Sequence, residues 1–333
     1  MSTDGSSKAI VAALLANTGI AVAKFVGFAI TGSSSMLAEG VHSVADSGNQ
    51  GLLLLGKRKA QQRADEQHQF GYGVYRYFYA FVVALVIFAL GSLFALYEGL
   101  HKISQPAPIE SPIVAVLILV VAIGLETYSF RTAIGESRSL RGDRSWWGFI
   151  RTSRNPELPV VLLEDAGALI GLMFALLGVG LAWITGDGVF DAIGTLAIGV
   201  LLGVIAIILV IEMRSLLIGE PALPEDQLTI KALLHGPDEA DVITDVIHLR
   251  TQHLSPEDLL IAAKIGVRAD ATGVEIAQAI DAAEARVRAA VPAASMIYLE
   301  PTILRPNDVP EDVPPVRPAS APAGASSRES AAG

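Results

Sequence analysis

The stretch that decides the fold is Met36–Leu55, which reads MLAEGVHSVADSGNQGLLLL. This largely apolar run carries Glu39, His42, Asp46 and Asn49. Their spacings of three, four and three residues place all four on one face of an α-helix. Ionisable side chains at membrane depth cost several kcal/mol each. A helix that keeps three of them on one face is therefore expected to use them on something that crosses the membrane.

The whole composition is typical of a polytopic membrane protein. Of 333 residues, 52% are hydrophobic and 17% are charged, and the mean hydropathy is +0.49. A hydrocarbon core of about 30 Å takes roughly 20 apolar helical residues to cross. Six windows meet that length, and we place them at 9–31, 35–56, 76–100, 112–134, 158–184 and 188–213.

Charge and cysteine content exclude several classes of function. The formal net charge of −10 argues against nucleic acid as a partner. The chain has no cysteine, which excludes disulfides, thiolate metal sites and cysteine nucleophiles. Any bound metal must therefore be held by His, Asp, Glu, Asn or water.

Basic residues set the expected topology. They cluster between the second and third windows, from Lys57 to Arg76, and between the fourth and fifth, from Arg131 to Arg154. By the positive-inside rule both clusters are cytoplasmic, and so are both termini. The start, Met1–Ser7, lacks the pattern of a signal peptide, so we expect the first window to stay in the protein. The simplest localisation is the inner cell membrane, crossed several times.

A second, cytosolic domain is predicted from about residue 219. A helix is expected from Pro224, strands at 242–253 and 259–268, a capped helix from Thr272-Gly273-Val274-Glu275, and a last strand at 296–299. The order αββαβ suits an α+β domain of ferredoxin-like type. We therefore divide the chain into a six-helix transmembrane domain at 1–218, an α+β domain at 219–304 and a disordered tail at 305–333, which is rich in Pro, Ala, Ser and Gly.

Two stretches carry a resemblance to a known family. The run AEGVHSVAD at 38–46, in the second of six windows, and DEQHQFGYG at 65–73, before the third, resemble the cation diffusion facilitator family. The resemblance extends over most of residues 8–302. It implies a secondary transporter rather than an enzyme: a homodimer in the lipid bilayer that exports divalent cations, typically zinc, in exchange for protons. It implies no prosthetic group, the divalent cation being the substrate.

The same resemblance implies the metal ligands. His42 and Asp46 are the expected ligands from the second helix. In the fifth helix the family offers a similar pair four residues apart, whereas this chain has the adjacent acids Glu164 and Asp165. Adjacent helical positions differ by about 100°, so only one of the two can point squarely at the second helix. We slightly favour Asp165 because its shorter carboxylate is easier to fix, although Glu164 aligns at least as well.

Further ligands and the identity of the ion stay open. The site could be completed by Glu39, by Asn17 of the first helix, by Asn49 or by water. One imidazole with carboxylates is a donor set of intermediate hardness, which favours zinc first and leaves iron(II), cobalt and manganese as alternatives. Because metal binding needs neutral His and ionised carboxylates, it releases protons and offers a route to antiport.

Several polar residues have a structural interpretation. We expect Lys24 to pair with a carboxylate or to extend toward the interface. Glu39 is either a ligand or a solvated residue at the mouth. Asp65 and His68 are more typical of a structural turn than of a second metal site. The acids expected near helix ends, as packing partners, are Glu98, Glu126, Asp191 and Glu212.

Two pairs of glycines, each four residues apart, lie in the fifth and sixth predicted windows. The pairs Gly167/Gly171 and Gly199/Gly203 indicate close helix packing. In the second domain the histidines have no suitable spacing for a regulatory metal site, so we expect it to act mainly in dimerisation. The rival functions are an intramembrane hydrolase, which would use His42 with Asp46 or Asp165, and a passive cation channel.

Overall fold

The computed structural model describes residues 18–106, 108–235 and 241–304. Asn17 and the tail at 305–333 lie outside the described residues. The chain forms two compact units. The first runs to Glu220 and includes His253–Pro256, and the second comprises residues 221–252 and the chain from Glu257 onward.

The first unit is a bundle of helices. In chain order these are α1 (Thr18–Thr31), α2 (Ser34–Ala60), α3 (Tyr75–Val82), a π-helical segment (Val83–Phe88), α4 (Ala89–Ser104), α5 (Pro112–Arg141), α6 (Trp146–Thr152), α7 (Glu157–Thr185) and α8 (Val189–Ile218). The π-helical segment joins α3 and α4 into one helix, Tyr75–Ser104.

Within the described ranges, four helices are long and apolar enough to cross a membrane. They are Tyr75–Ser104, Pro112–Arg138, Glu157–Thr185 and Val189–Ile218, and they coincide with the last four predicted windows. Large apolar side chains such as Leu93, Leu117 and Leu177 are exposed along them, as expected of surfaces that face lipid. The polar face of α2 lowers its hydropathy, although its 27 residues are long enough to span.

Glycines let three of these helices approach closely. A Cβ placed on Gly199 of α8 would lie 2.9 Å from the backbone nitrogen of Leu96 in α4, and Ser92 of α4 donates a hydrogen bond to the Gly199 carbonyl at 2.7 Å. This confirms the packing role predicted for that small-residue pair. A second crossing was not predicted: a Cβ on Gly194 of α8 would lie 2.9 Å from the carbonyl oxygen of Phe174 in α7.

The beginning of α2 is held by a carboxylate from α8. Asp191 is fully buried and accepts hydrogen bonds from the backbone nitrogen of Ser34 at 2.7 Å and from the hydroxyls of Ser33 and Ser34 at 2.8 and 3.0 Å. An anion at this position satisfies otherwise unpaired N–H groups and interacts favourably with the helix dipole. Asp191 is thus the packing partner that was expected, and it fixes the first turn of the helix that carries the polar face.

The second unit has the predicted order αββαβ. Its elements are α9 (Pro224–Leu234), β1 (Ile243–His253), β2 (Leu259–Val267), α10 (Gly273–Ala290) and β3 (Met296–Ile303). The sheet order is β1-β2-β3, with β2 and β3 parallel from the pair Leu260 and Met296 to the pair Val267 and Ile303. The core between sheet and helices includes Ile230, Leu234, Ile261, Ile265 and Val287.

Two details of this unit test the sequence prediction. The capping box is present, since Thr272 accepts a hydrogen bond from the Glu275 nitrogen at 3.3 Å and its own nitrogen donates to the Glu275 carboxylate at 2.7 Å. The last strand is longer than predicted and continues through Pro301. A proline fits there because β3 is an edge strand, where a missing N–H can face solvent.

Candidate metal site

The polar face of α2 is buried inside the first unit. Glu39 and Asn49 have no exposed surface, and His42 and Asp46 are 3% and 5% exposed. Nδ1 of His42 lies 3.5 Å from Oδ1 of Asp46, one turn farther along the helix. The spacing that predicted a common face therefore brings the imidazole and the carboxylate together.

The two acids of α7 are both buried but have different neighbours. The strongest charged neighbour of Glu164 is Asp46, and the amide of Asn49 lies beside it. Asp165 accepts a hydrogen bond from Ser129 of α5 at 3.1 Å, and its strongest charged neighbour is Glu126. The geometry thus directs Glu164 toward α2 and Asp165 toward α5.

Glu126 is a member of this cluster that the sequence interpretation did not select. It lies halfway along α5 and not near its end as expected, and it is 8% exposed. It is also the strongest charged neighbour of Asp46. The available signal was a single acid within the apolar window 112–134, one helical turn before Ser129. That pattern did not reveal which helix the acid would face.

Glu39 is engaged by a buried lysine from α1. Nζ of Lys24 lies 2.9 Å from Oε2 of Glu39 and donates a second hydrogen bond to Oγ of Ser43 at 2.8 Å. Lys24 is 1% exposed, and Glu39 is wholly buried. The expectation that Lys24 pairs with a carboxylate is confirmed. The interpretation of Glu39 as a solvated mouth residue is wrong, because the helix packing encloses it.

Several ligand-type atoms of the cluster make no hydrogen bond to the described part of the protein. They are Oδ1 of Asp46, Oε2 of Glu164 and Oδ1 of Asn49. The amide nitrogen of Asn49, which is a donor and not a ligand, also has no such hydrogen bond. Leaving buried polar atoms unpaired costs about 1–3 kcal/mol each. Oxygen donors beside an imidazole suit a divalent cation of intermediate hardness.

The cluster does not form a closed coordination shell as it stands. Among the described residues, no group of three or more His, Asp or Glu side chains is close enough together to hold a metal ion. His42 and Asp46 lie 3.5 Å apart, and Glu164 is a charged neighbour of Asp46. The structure thus gathers these donors in one buried region without closing them around a common point.

The polar cluster of the loop before α3 has a structural explanation. Asp65 accepts hydrogen bonds from the Tyr72 hydroxyl at 2.6 Å and from the backbone nitrogens of Gln67 and His68 at 2.9 and 2.8 Å. The Tyr72 hydrogen bond, followed by those from the backbone, lowers the pKa of Asp65 below its ordinary value. These hydrogen bonds show that the Asp65 carboxylate stabilises a turn, as the sequence favoured.

His253, the last residue of β1, belongs to the first unit and is buried, with Nδ1 3.2 Å from the carbonyl oxygen of Ser255. His248 is half-buried five residues earlier on the same strand. The dimerisation role expected of the second unit stays a prediction.

Comparison with known proteins agrees with the membrane architecture. The profile of the cation efflux transmembrane domain matches residues 10–218. The human protein named proton-coupled zinc antiporter SLC30A9, mitochondrial, is 33% identical over 244 residues, which are 73% of this chain and 43% of that protein. Metal tolerance protein C4 of Arabidopsis thaliana is 29% identical over 248 residues, which are 72% of this chain and 53% of that protein.

A third relative, magnetosome protein MamB of Magnetospira sp., is 24% identical over 286 residues, 84% of this chain and 89% of its own. The chain spans about half the length, or less, of the human and Arabidopsis relatives. The profile match covers the helices that form the buried cluster, and it extends over more than half of the chain. The chain belongs to the cation efflux family of membrane transporters, the cation diffusion facilitators.

Proposed function

We propose that this protein exports a divalent transition-metal cation, zinc in the first place, from the cytoplasm in exchange for protons by alternating access. The observation that carries the proposal is the buried His42–Asp46 pair of α2 with Glu164 of α7 as a charged neighbour, where Oδ1 of Asp46 and Oε2 of Glu164 accept no hydrogen bond from the described residues. The names of the relatives, a zinc antiporter and a metal tolerance protein, support the same function.

We further propose six membrane spans, with α1 and α2 as the first two. At 1.5 Å per residue, the 27 residues of α2 extend about 40 Å, more than a hydrocarbon core needs. The basic clusters put both termini and the αββαβ unit, which we take to be ferredoxin-like, in the cytoplasm. The working assembly is a homodimer in the inner cell membrane.

The donor set favours zinc over the harder cations. His42 supplies an imidazole nitrogen, while Asp46 and Glu164 supply carboxylate oxygens, a combination that zinc, iron(II) and cobalt accept more readily than magnesium does. Glu126 and Asp165 lie on the α5 side of the cluster and add negative charge. Manganese is the alternative that an oxygen-rich version of the site would favour.

Proton exchange follows from the chemistry of these ligands. The cation binds to neutral His42 and to ionised carboxylates, so its binding displaces protons and protonation from the other side displaces the cation. The same side chains therefore carry either the metal or protons. Transport then requires that the cluster open to one side of the membrane at a time.

The decisive experiment is zinc flux into proteoliposomes under an imposed pH gradient. We expect His42→Ala and Asp46→Asn each to reduce flux to the level of empty liposomes, whereas His101→Ala, at an exposed site in α4, keeps the wild-type rate. Wild-type flux in both variants would overturn the proposed site. Zinc movement with no counterflow of protons would favour the passive channel.

A second experiment identifies the ion and the α7 ligand. Zinc, iron(II), cobalt and manganese compete for the purified full-length protein, in the wild type and in Glu164→Gln and Asp165→Asn. The geometry of α7 predicts that Glu164→Gln weakens binding more than Asp165→Asn does. The opposite order would support the acid that the sequence slightly favoured.

A further inference from the structure

Lys24 and Glu39 form an ion pair in the interior of the membrane unit. Nζ of Lys24 lies 2.9 Å from Oε2 of Glu39, and both side chains are excluded from solvent. Charges of this kind are costly to bury, and removing one partner leaves the other as an uncompensated buried charge. The two residues therefore act as a unit.

Among the described residues, the side-chain hydrogen bonds of the ammonium group all go to α2, and Glu126 of α5 is a further charged neighbour. The stem of Lys24 borders an apolar cavity of about 420 Å³ between α1 and α5, whose other lining residues are all glycine or aliphatic. Its described hydrogen-bond acceptors are Glu39 and Ser43, both on α2. The positive charge is thereby held against the helix that carries the metal ligands.

Glu39 is confined on its other side as well. A Cβ placed on Gly171 of α7 would lie 2.6 Å from Oε1 of Glu39, so the carboxylate packs directly against the α7 backbone at that glycine. Oε2 is occupied by Lys24, and Oε1 accepts no hydrogen bond among the described residues. Glu39 thus shares a face of α2 with His42 and Asp46, and its carboxylate is paired with the lysine.

The pair lies close enough to the candidate metal site to affect a bound cation. Glu39 precedes His42 by three residues on one face of α2, and Ser43, the second acceptor of Lys24, is the neighbour of His42 in the chain. Lys24 is among the charged groups that act on both His42 and Asp46. A fixed positive charge at this range repels a dication and weakens its binding.

We propose that Lys24 sets the metal affinity of the site: its ammonium group holds Glu39 out of the coordination shell and repels the bound cation, so that the cation can be released. This inference rests on the proposed function and adds a residue to it. Without Lys24, Glu39 would be a free carboxylate one turn from His42, able to ligate. The site would then bind more tightly and release more slowly.

The test measures zinc affinity by chelator competition on purified full-length protein, and zinc flux in proteoliposomes, for four forms: the wild type, Lys24→Met, Glu39→Gln and the double variant. We expect Lys24→Met to tighten zinc binding about tenfold or more and to lower both the KM and the maximal rate. Glu39→Gln, which leaves the ammonium uncompensated, is expected to weaken binding by a similar factor.

The double variant, Lys24→Met with Glu39→Gln, shows whether a change in zinc affinity comes from the charges of the pair or from damage to the fold. Both charges are replaced by side chains of similar size, so it is expected to fold and to bind zinc within about threefold of the wild type. A merely structural pair would lower the melting temperature and the maximal rate without lowering the KM. Lys24→Arg, which keeps the charge, serves as the matched control and should retain wild-type affinity.

Defined outcomes overturn the inference. Unchanged or weaker zinc binding in a folded Lys24→Met protein contradicts it, and so does a gain in affinity that persists in full in the double variant. If Lys24→Met does not fold, a zinc affinity of Glu39→Gln equal to that of the wild type also contradicts the inference. Failure of the proposed function would look different, since the wild type itself would then neither bind nor move zinc.

Discussion

Ser129 of α5 donates a hydrogen bond to Asp165 of α7 at 3.1 Å, and this contact places the α5 face that carries Glu126 against the candidate site. Glu126 lies one turn before Ser129, is buried, and is among the charged neighbours of Asp46, Glu164 and Asp165. The candidate site thus includes α5 beside α2 and α7, whereas the sequence indicated the second and fifth predicted helices, with Asn17 of the first as a possible further ligand.

The first prediction concerns Glu126. We expect Glu126→Gln to weaken zinc binding about tenfold, because it removes the carboxylate that acts most strongly on Asp46. Competition binding measures this change. Glu136→Gln, on the exposed side of the same helix, is the control and should bind zinc like the wild type. Equal affinity for the Glu126 variant and the wild type would show that α5 does not contribute to the site.

The second prediction concerns the carboxylate that caps α2. Asp191→Ala leaves the backbone nitrogen of Ser34 and two serine hydroxyls without their acceptor, which should destabilise the protein by about 2–4 kcal/mol. A large fall in melting temperature in detergent is the expected result. The control is Glu110→Gln, which removes the charge of an exposed acid and should leave the melting temperature unchanged. Equal stability of both variants would mean that the cap contributes little.

The third prediction tests the crossing of α7 and α8. Alanine normally favours a helix over glycine by about 1 kcal/mol. At Gly194 this gain is opposed, because the added methyl group meets the carbonyl oxygen of Phe174 at 2.9 Å and the helices must separate. Gly194→Ala should therefore lower the melting temperature. At Gly180 of α7 a Cβ meets nothing within 4 Å, so Gly180→Ala should maintain or raise it.

The fourth prediction is a pH dependence in the second unit. Hydrogen bonds from the backbone nitrogen and the hydroxyl of Thr272 lower the pKa of Glu275 below its ordinary value. A lowered pKa means that the capping contribution is present above the pKa of the unfolded chain and is lost as the pH falls through the folded value. At neutral pH we expect Glu275→Gln to speed amide hydrogen exchange in the first turn of α10.

At a pH below both pKa values the difference between the variant and the wild type should vanish, because the wild-type side chain is then neutral too. Hydrogen exchange followed by mass spectrometry at matched pH makes this comparison. Glu284→Gln removes the same charge in the interior of α10 and should not affect exchange in the first turn. A difference that persists at acidic pH would mean that the ionised carboxylate is not the stabilising form.

The ligand face of α2 could be predicted because it depends on spacing within one helix. Glu39, His42, Asp46 and Asn49 share a face in any regular helix, and the cost of burying them indicated a function. The capping box at Thr272 was predictable for the same reason, since its partners lie three residues apart.

The remaining features depend on how helices turn about their axes when they pack. Adjacent acids such as Glu164 and Asp165 cannot be assigned to different neighbours from the chain alone, because that assignment follows from the rotation of α7 against α2 and α5. Glu126 has a polar residue at helical spacing, Ser129, but this pair alone does not show which helix it faces. Asp191 was expected to pack, but its capping of α2 joins residues more than 150 positions apart.

Anchoring one end of α2 also determines where that helix can move. The hydrogen bonds from Ser33 and Ser34 to Asp191 fix its first turn to α8, so a tilt of α2 relative to α8 has its pivot there. Over 27 residues, a tilt of about 10° displaces the far end near Ala60 by about 7 Å and the middle, near Asp46, by about half as much. The candidate ligands His42 and Asp46 would thus move by a few ångströms, while the loop after α2 moves farther.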